Sequence, residues 1–256
     1  MSAPAPVMRP TWDEFQDFPA YVRKITPEIA PFGGCQIVPP PEWAHKPVGP
    51  AHEKLQRAEI KPIRQHVGGH NGRFQALMEL KDPMPLQQFI ADSALQSQPA
   101  DGLSPEDLDS KFWRGLAARP SEYGADSSEA GSLFAPELSS WNLGALPGGV
   151  DNDLTQELPM AIPGLNRSML YFGQWRSFFA LHTEDCELQG ASFLHYGAPK
   201  RWYVVPPSHA GRVRKVAADC FPELARECRE FVRHKTTMLS PAVLKASNIP
   251  VRRRAL

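Results

Sequence analysis

Proline is the residue that most restricts the fold of this chain. The sequence contains 27 prolines in 256 residues, about twice the share that is usual in globular proteins. Proline fixes its own φ and lacks a backbone N–H, so it interrupts helix interiors and central strands. The proline content therefore excludes a coiled coil or an all-helical bundle and favours a loop-rich fold with short strands.

The charge balance and the apolar content narrow the class of protein. Lys plus Arg and Asp plus Glu both number 28, which argues against a basic nucleic-acid-binding protein but leaves a local positive patch open. A hydrophobic content of 42% is typical of a globular domain. No apolar signal segment or membrane-length apolar run is present, so we expect an intracellular protein. Reduced thiols or metal ligands are then expected of the four cysteines, Cys35, Cys186, Cys220 and Cys228.

Local patterns predict several elements. A capping-box pattern at Thr11 and Glu14 predicts a helix over 11–26 that stops at Pro27. Further helices are expected over 84–96 and from Ser104 to about Trp113, where the serine is followed by proline and two acids. Residues 119–132 are expected to be turns. From 168 onward, a β-sheet or barrel is predicted by four short runs, SMLYFG, WRSFFAL, ASFLHYG and RWYVVPP.

His182 and Glu184 are the first candidates for chemistry, because they directly follow the apolar run WRSFFAL. On a strand, two residues at this spacing point to the same side. An imidazole and a carboxylate on one face, joined by a distant histidine, form the facial triad that binds non-haem Fe(II). Taken alone, the pair favours a half-buried histidine beside a surface glutamate over a metal site.

The sequence around this pair resembles a known family. A resemblance to the JmjC domain of Fe(II)- and 2-oxoglutarate-dependent histone lysine demethylases lies in YFGQWRSFFALHTEDCELQGASFLHYGAPKRWYVVPPSH. The segments PTWDEFQDFPAYVRKI and GGCQIVPPPEW resemble the accompanying JmjN domain. The likeness continues through EYGAD, WNLG and REFVRHKTTMLSPAVLKASNIP, and it is specific to the subfamily-4 demethylases.

The resemblance implies an α+β fold, in which a JmjC double-stranded β-helix of the jelly-roll type carries a JmjN segment and flanking helices. The expected divisions are JmjN at 8–50, a mixed α/β region at 51–140 and JmjC at 141–256. The implied activity is removal of methyl groups from trimethylated or dimethylated lysine 9 or lysine 36 of the histone H3 tail, by hydroxylation of an N-methyl group. A nuclear chromatin regulator is expected, with no membrane partner and no sequence-specific DNA binding.

The resemblance also assigns roles at the metal and the cosubstrate. His182 and Glu184 match the first two iron ligands, while Lys200 and Tyr123 match residues that bind the distal carboxylate of 2-oxoglutarate. A lysine suits that role because it offers a point charge to a carboxylate. The remaining cosubstrate positions are the aromatic walls Phe179 and Trp202, and Ser192, which stands where asparagine is usual.

Two further groups are implied for substrate and zinc. Gly164 and Tyr171 match the cage for the methylated ammonium, where oxygen contacts and an aromatic ring suit a quaternary cation. Met169 replaces one tyrosine of that cage region. Cys228 and His234 match two of the four ligands of a structural zinc site.

The end of the sequence departs from the family pattern. After NIP the residues VRRRAL do not continue that pattern, and the third iron ligand, two zinc cysteines and final barrel strands would all fall beyond Leu256. We therefore expect incomplete iron and zinc sites and a barrel without its last strands. Two alternatives remain open: a piece of an active demethylase, and a catalytically inactive chromatin-binding module. A third, hydroxylation of another protein side chain, is disfavoured by the JmjN segment.

Overall fold

The structure is a computed structural model that describes residues 4–43, 45, 48–96, 102–126, 132–146, 160 and 162–255. The strands are β1 (Val7–Met8), β2 (Gln36–Ile37), β3 (Glu59–His70), β4 (Arg73–Leu80), β5 (Met84–Pro85), β6 (Ser121–Asp126), β7 (Tyr171–Gly173), β8 (Arg201–Val204), β9 (Thr237–Leu239) and β10 (Arg252–Ala255). The described α-helices are α1 (Trp12–Gln16), α2 (Phe18–Ile29), α3 (Glu53–Gln56), α4 (Leu86–Gln96), α5 (Pro105–Gly115), α6 (Ala210–Cys220), α7 (Pro222–Glu227) and α8 (Pro241–Ala246). This mixture confirms the predicted α+β class.

A six-stranded antiparallel sheet forms the centre of the fold. Its strands lie in the order β7-β6-β3-β4-β9, and β5 pairs with β3 outside that path. The β6–β7 register places Tyr123 opposite Gly173, so β6 brings a residue from the middle of the sequence beside the JmjC-like region. Strand β6 lies within 119–132, and the prediction that this segment consists of turns is therefore wrong in part.

The N-terminal segment packs against a segment that lies between β6 and β7 in the sequence. The predicted capping box is confirmed, because Glu14 N–H donates to Thr11 Oγ1 and Thr11 N–H donates to Glu14 Oε2. The Phe15 and Trp141 rings stack with centroids 4.6 Å apart, and the Trp141 indole N–H donates to the Phe15 carbonyl at 2.9 Å. These contacts fix the N-terminal helices to the WNLG segment.

The single helix predicted over 11–26 is divided in two, and this corrects the prediction. Asp17 separates α1 from α2, and its carboxylate accepts from Ala20 N–H at 2.9 Å as the cap of the second helix. Pro27 lies inside α2, which continues to Ile29. Pro27 has no N–H to donate to the carbonyl four residues earlier, so the last turn of the helix lacks one backbone hydrogen bond. The helix expected from Ser104 is confirmed as α5.

The β-rich prediction after residue 168 is only partly correct. SMLYFG contributes β7 and RWYVVPP contributes β8, whereas the described residues of WRSFFAL and ASFLHYG form no strand. Strand β8 pairs with β10 in a separate two-stranded sheet. One further expectation is wrong as a consequence: His182 and Glu184 do not lie on a strand, and Glu184 instead precedes the short 3-10 helix Asp185–Glu187.

Within the described part of the chain, no helix is both long and apolar enough to cross a membrane.

Candidate functional site

The predicted pair of iron ligands is close together although it lies outside a strand. His182 Nε2 and Glu184 Oε1 are 3.8 Å apart. His182 Nδ1 lies 2.6 Å from the Ala180 carbonyl oxygen, which is an acceptor, so the proton belongs on Nδ1. This tautomer leaves the Nε2 lone pair free for a metal, which is the usual arrangement of a histidine ligand.

The donor chemistry of this pair fits Fe(II), but the set is incomplete. The described residues contain no cluster of three or more His, Cys, Asp or Glu side chains that could hold a metal ion. His182 and Glu184 would supply one nitrogen and one oxygen donor to such an ion, and no third ligand joins them among the described residues.

Lys200 occupies an aromatic sandwich. Its Nζ lies 4.5 Å from the centroid of the Phe179 ring and 4.7 Å from that of the Trp202 ring. Burial lowers the pKa of Lys200 from its ordinary value, and the charge of Glu184 opposes that shift. Among the described residues, no carboxylate lies within ion-pair distance of this ammonium.

An unsatisfied donor lies beside that ammonium. Trp202 Nε1 is buried and has no hydrogen-bond partner in the part of the chain that the structure describes. Buried polar groups are normally paired, so an unpaired donor next to a half-buried cation is compatible with an anionic or acceptor ligand. The Lys200 environment therefore fits a carboxylate such as the distal group of 2-oxoglutarate.

Phe179 joins the cosubstrate positions to the cage positions. Its ring contacts Tyr123 at a centroid distance of 5.3 Å and Tyr171 at 5.2 Å, the latter edge-to-face. Burial raises the pKa of both tyrosines, and the Glu184 charge raises that of Tyr171 further. Both phenols consequently stay protonated at neutral pH and are able to donate hydrogen bonds.

The position of this ring depends on a buried amide that the sequence analysis did not identify. Gln65, on β3, is fully buried; its Nε2 donates to the Phe178 carbonyl at 2.8 Å and its Oε1 accepts from the Phe178 N–H at 3.1 Å. Ser121 Oγ also donates to Gln65 Oε1 at 3.3 Å. The Gln65 side chain thus satisfies the backbone of Phe178, which pairs with no strand in the described part of the chain. The residues around Gln65 in the sequence do not indicate this role.

The predicted cage residues also lie together. The backbone of Gly164 has a positive φ of 79°, and a Cβ there would lie 3.2 Å from Met169 Sδ and 3.9 Å from the Tyr171 hydroxyl. The Tyr171 hydroxyl is 3.5 Å from Met169 Sδ. The thioether therefore fills space between the glycine and the tyrosine, where the resemblance implies a second aromatic ring.

Three predicted residues are not brought into a site by the described contacts. Ser192 is exposed, and its neighbour Phe193 packs instead against Trp43, 5.6 Å away between ring centroids. Cys228 is a free, half-buried thiol beside the α6 and α7 core, and His234 ends the 3-10 helix Phe231–His234. These two residues belong to no three-ligand cluster of the described chain. All four cysteines are free thiols in the structure.

The domain comparisons agree with this geometry. The family described as "JmjC domain, hydroxylase" matches residues 169–255, and the jmjN domain matches residues 6–39. The first match contains the iron, cosubstrate and cage positions described above, except Tyr123 and Gly164. The JmjC hydroxylase family implies dependence on Fe(II) and 2-oxoglutarate.

Whole-chain comparisons extend the likeness beyond the two domains. The chain is 37% identical over 248 residues to lysine-specific demethylase 4D of Rattus norvegicus, covering 95% of this chain and 47% of that protein. It is 38% identical to probable lysine-specific demethylase 4F of Homo sapiens over 95% of this chain, and 37% identical to lysine-specific demethylase 4B of Mus musculus over 96%. The chain spans 38% and 22% of those two relatives. The chain therefore contains matches to a JmjN and a JmjC domain, and over nearly its whole length it is similar to subfamily-4 lysine-specific demethylases.

Proposed function

We propose that this chain carries the cosubstrate-binding and substrate-binding part of an Fe(II)- and 2-oxoglutarate-dependent histone lysine demethylase. The observation that carries the proposal is the Lys200 ammonium, which lies half-buried between Phe179 and Trp202 without a carboxylate partner among the described residues. A charged group in such a place is costly unless an anion joins it. A dicarboxylate cosubstrate supplies that anion.

Each residue of the pocket has a distinct task in this proposal. Lys200 pairs with the distal carboxylate of 2-oxoglutarate, and the protonated Tyr123 hydroxyl donates to the same group. His182 Nε2 and Glu184 would hold Fe(II), which when bound supplies the oxygen chemistry for hydroxylation of an N-methyl group. Phe179 and Trp202 exclude water from the cosubstrate, which strengthens the charge pairing.

The substrate side is proposed to receive a methylated lysine. The Tyr171 ring lies edge-to-face on Phe179, and Gly164 places backbone close to its hydroxyl. Aromatic faces and nearby oxygens suit a methylated ammonium. We infer trimethylated or dimethylated lysine 9 or lysine 36 of the histone H3 tail as the substrate, with chromatin as the partner and the nucleus as the location.

In addition to Fe(II) and 2-oxoglutarate, we propose a structural zinc ion. Cys228 and His234 offer one thiolate and one imidazole, the donors that Zn²⁺ prefers in closed tetrahedral sites. Two more ligands from outside the described residues are needed to complete such a site.

A second function is favoured by one specific observation. The described residues complete no three-ligand metal group. Such a chain would keep the shape of the pocket without turnover. The alternative is therefore a catalytically inactive module that binds the histone tail.

A titration of 2-oxoglutarate into the protein in the presence of Mn²⁺ tests the proposed pocket. We expect saturable binding that Lys200→Ala weakens about tenfold or more, because a charge-assisted hydrogen bond is lost. Lys215→Ala, which removes an exposed lysine of α6, should leave the affinity unchanged. No binding by the unsubstituted chain, or equal binding by Lys200→Ala, contradicts the proposal. Formaldehyde release from a trimethyl-lysine peptide then separates the enzyme from the inactive module.

A further inference from the structure

Strand β8 holds the cosubstrate side chains but does not belong to the central sheet. Lys200 immediately precedes it and Trp202 lies on it, and among the described strands only β10 pairs with it. The register places Arg253 opposite Tyr203 and Arg254 opposite Trp202. The position of the cosubstrate wall therefore depends on a strand formed by the last described residues of the chain.

The two faces of β8 have different partners. Arg201 and Tyr203 both contact Asp109 of α5, so they share one face of the strand. Trp202 contacts the Lys200 ammonium, which places these two side chains together on the other face. Because side chains alternate along a strand, fixing the first face also fixes the direction of the second.

Asp109 is a buried carboxylate that accepts hydrogen bonds at Oδ1 and has an ion-pair contact, without a hydrogen bond, at Oδ2. Arg201 Nε donates to Oδ1 at 2.7 Å and the Tyr203 hydroxyl donates to the same atom at 2.8 Å. Arg253 Nη1 lies 3.1 Å from Oδ2. The Asp109 side chain is only 7% exposed, whereas that of Arg253 is 42% exposed. We name these four residues the Asp109 network.

The other arginines of β10 anchor the strand to the N-terminal segment. The Arg252 guanidinium lies 4.5 Å from the centroid of the Phe32 ring, and Arg254 Nη2 donates to the Ala5 carbonyl. Gly33 has a positive φ of 84°, and a Cβ there would lie 2.9 Å from the Val205 carbonyl oxygen and 3.1 Å from Val204 Cγ1. The N-terminal segment thus packs directly against the end of β8.

From these contacts we propose that Asp109 and Arg253 are positioning residues of the cosubstrate pocket. They hold β8 between α5 and β10 so that Lys200 and Trp202 face Phe179. The role of the pocket rests on the proposed function, whereas the attachment of β8 does not. Neither residue contacts the cosubstrate positions, so both act through the strand.

The test combines amide hydrogen exchange with cosubstrate titration. Exchange in 201–204 is measured by mass spectrometry without cosubstrate, and the Kd for 2-oxoglutarate is measured with Mn²⁺. Arg253→Gln should accelerate exchange in β8 about tenfold and raise the Kd about fivefold to tenfold, because a local opening becomes easier. Arg253→Lys, which keeps the charge, should lie between Arg253→Gln and the unsubstituted chain in both measurements.

A control substitution at the surface and a substitution of Asp109 itself complete the test. Arg226→Gln removes an arginine whose ion pair with Glu223 is at the surface, and it should change neither measurement. Asp109→Asn should act in the same direction as Arg253→Gln, and the double substitution should add little to either one. If Asp109→Asn does not fold, the Arg253 variants still test the proposal. They are expected to fold because Arg201 continues to pair with Asp109.

Two results overturn the proposal. One is unchanged exchange in β8 of Arg253→Gln. The other is faster exchange with a Kd that stays within about twofold of the unsubstituted chain, because β8 would then be attached without positioning the pocket. Failure of the unsubstituted chain to bind 2-oxoglutarate refutes the proposed function instead. In that case the exchange measurement alone decides whether the Asp109 network holds β8.

Discussion

Gln65 uses its side-chain amide as a substitute for a neighbouring strand, because both of its polar atoms bond to the backbone of Phe178. The two residues are separated by 113 positions in the sequence. The next residue is Phe179, and its ring contacts Tyr123, Tyr171 and the Lys200 ammonium. The centre of the candidate site is therefore held by one buried amide of β3.

Gln65→Ala should destabilise the protein by about 2–4 kcal/mol, because it leaves both Phe178 backbone groups buried without partners. Urea unfolding checks this value. Gln75→Ala provides the control, since Gln75 is an exposed residue of the neighbouring strand β4 and should change stability by only about 0.5 kcal/mol. Equal losses from the two substitutions would show that the amide has no special role.

Acid should weaken the packing of two buried histidines. His195 and His45 lie 5.6 Å apart between ring centroids, within the cluster that includes Phe134 and Phe193. Burial lowers the pKa of His195 from 6.5 to about 4, and it lowers that of His45 as well.

A lowered pKa means that the unfolded chain binds more protons than the folded chain in this pH range. The stability contribution is fully present above pH 6.5 and is lost as the pH falls towards about 4. We expect a loss of roughly 1–2 kcal/mol across this window, measured by urea unfolding at several pH values. His195→Phe keeps a ring in the cluster and should flatten the dependence. If the free energy of unfolding of His195→Phe falls with decreasing pH as steeply as that of the unsubstituted chain, the prediction is wrong.

Met169→Tyr should strengthen binding of a trimethyl-lysine peptide. The substitution places an aromatic face near the Tyr171 hydroxyl, and one cation–π contact contributes about 1 kcal/mol, or roughly fivefold in affinity. Fluorescence anisotropy with methylated and unmethylated peptides measures the difference. Met160→Tyr, at an exposed methionine, is the control. A gain that is the same for the unmethylated peptide would reject a cage role for this position.

Gly164→Ala should reduce the affinity for a methylated peptide. The reduction should be larger than the backbone strain of an alanine at positive φ produces by itself. The added Cβ would meet Met169 Sδ at 3.2 Å, whereas Gly102 has the same φ of 79° and open space around its own Cβ position. Gly102→Ala therefore reproduces the backbone strain, about 1 kcal/mol, without the crowding. Both variants are compared in thermal unfolding and in peptide binding. If peptide affinity falls equally in both, Gly164 does not line the binding site.

Several elements were predictable because their signals are local. The Thr11–Glu14 box and the Ser104–Pro105 start lie within one helical turn of the backbone groups that they satisfy, and both helices begin where these signals stand. The turn around Asn71–Gly72 likewise joins β3 to β4. The strands predicted from WRSFFAL and ASFLHYG were wrong because an apolar run does not by itself supply a hydrogen-bonding neighbour strand.

The sequence by itself determined the family, the helix starts and the identity of the residues that could serve a JmjC site, since motif residues and caps are read over short spans. The tertiary structure alone decided that Gln65 supports the site, that Met169 fills the cage region, and that Arg252–Ala255 pairs with β8. Each of these relationships except the Met169 contact with Tyr171 joins segments distant along the chain. Which buried donor meets which acceptor across such distances depends on the packing of the whole fold, and local residue patterns do not contain that information.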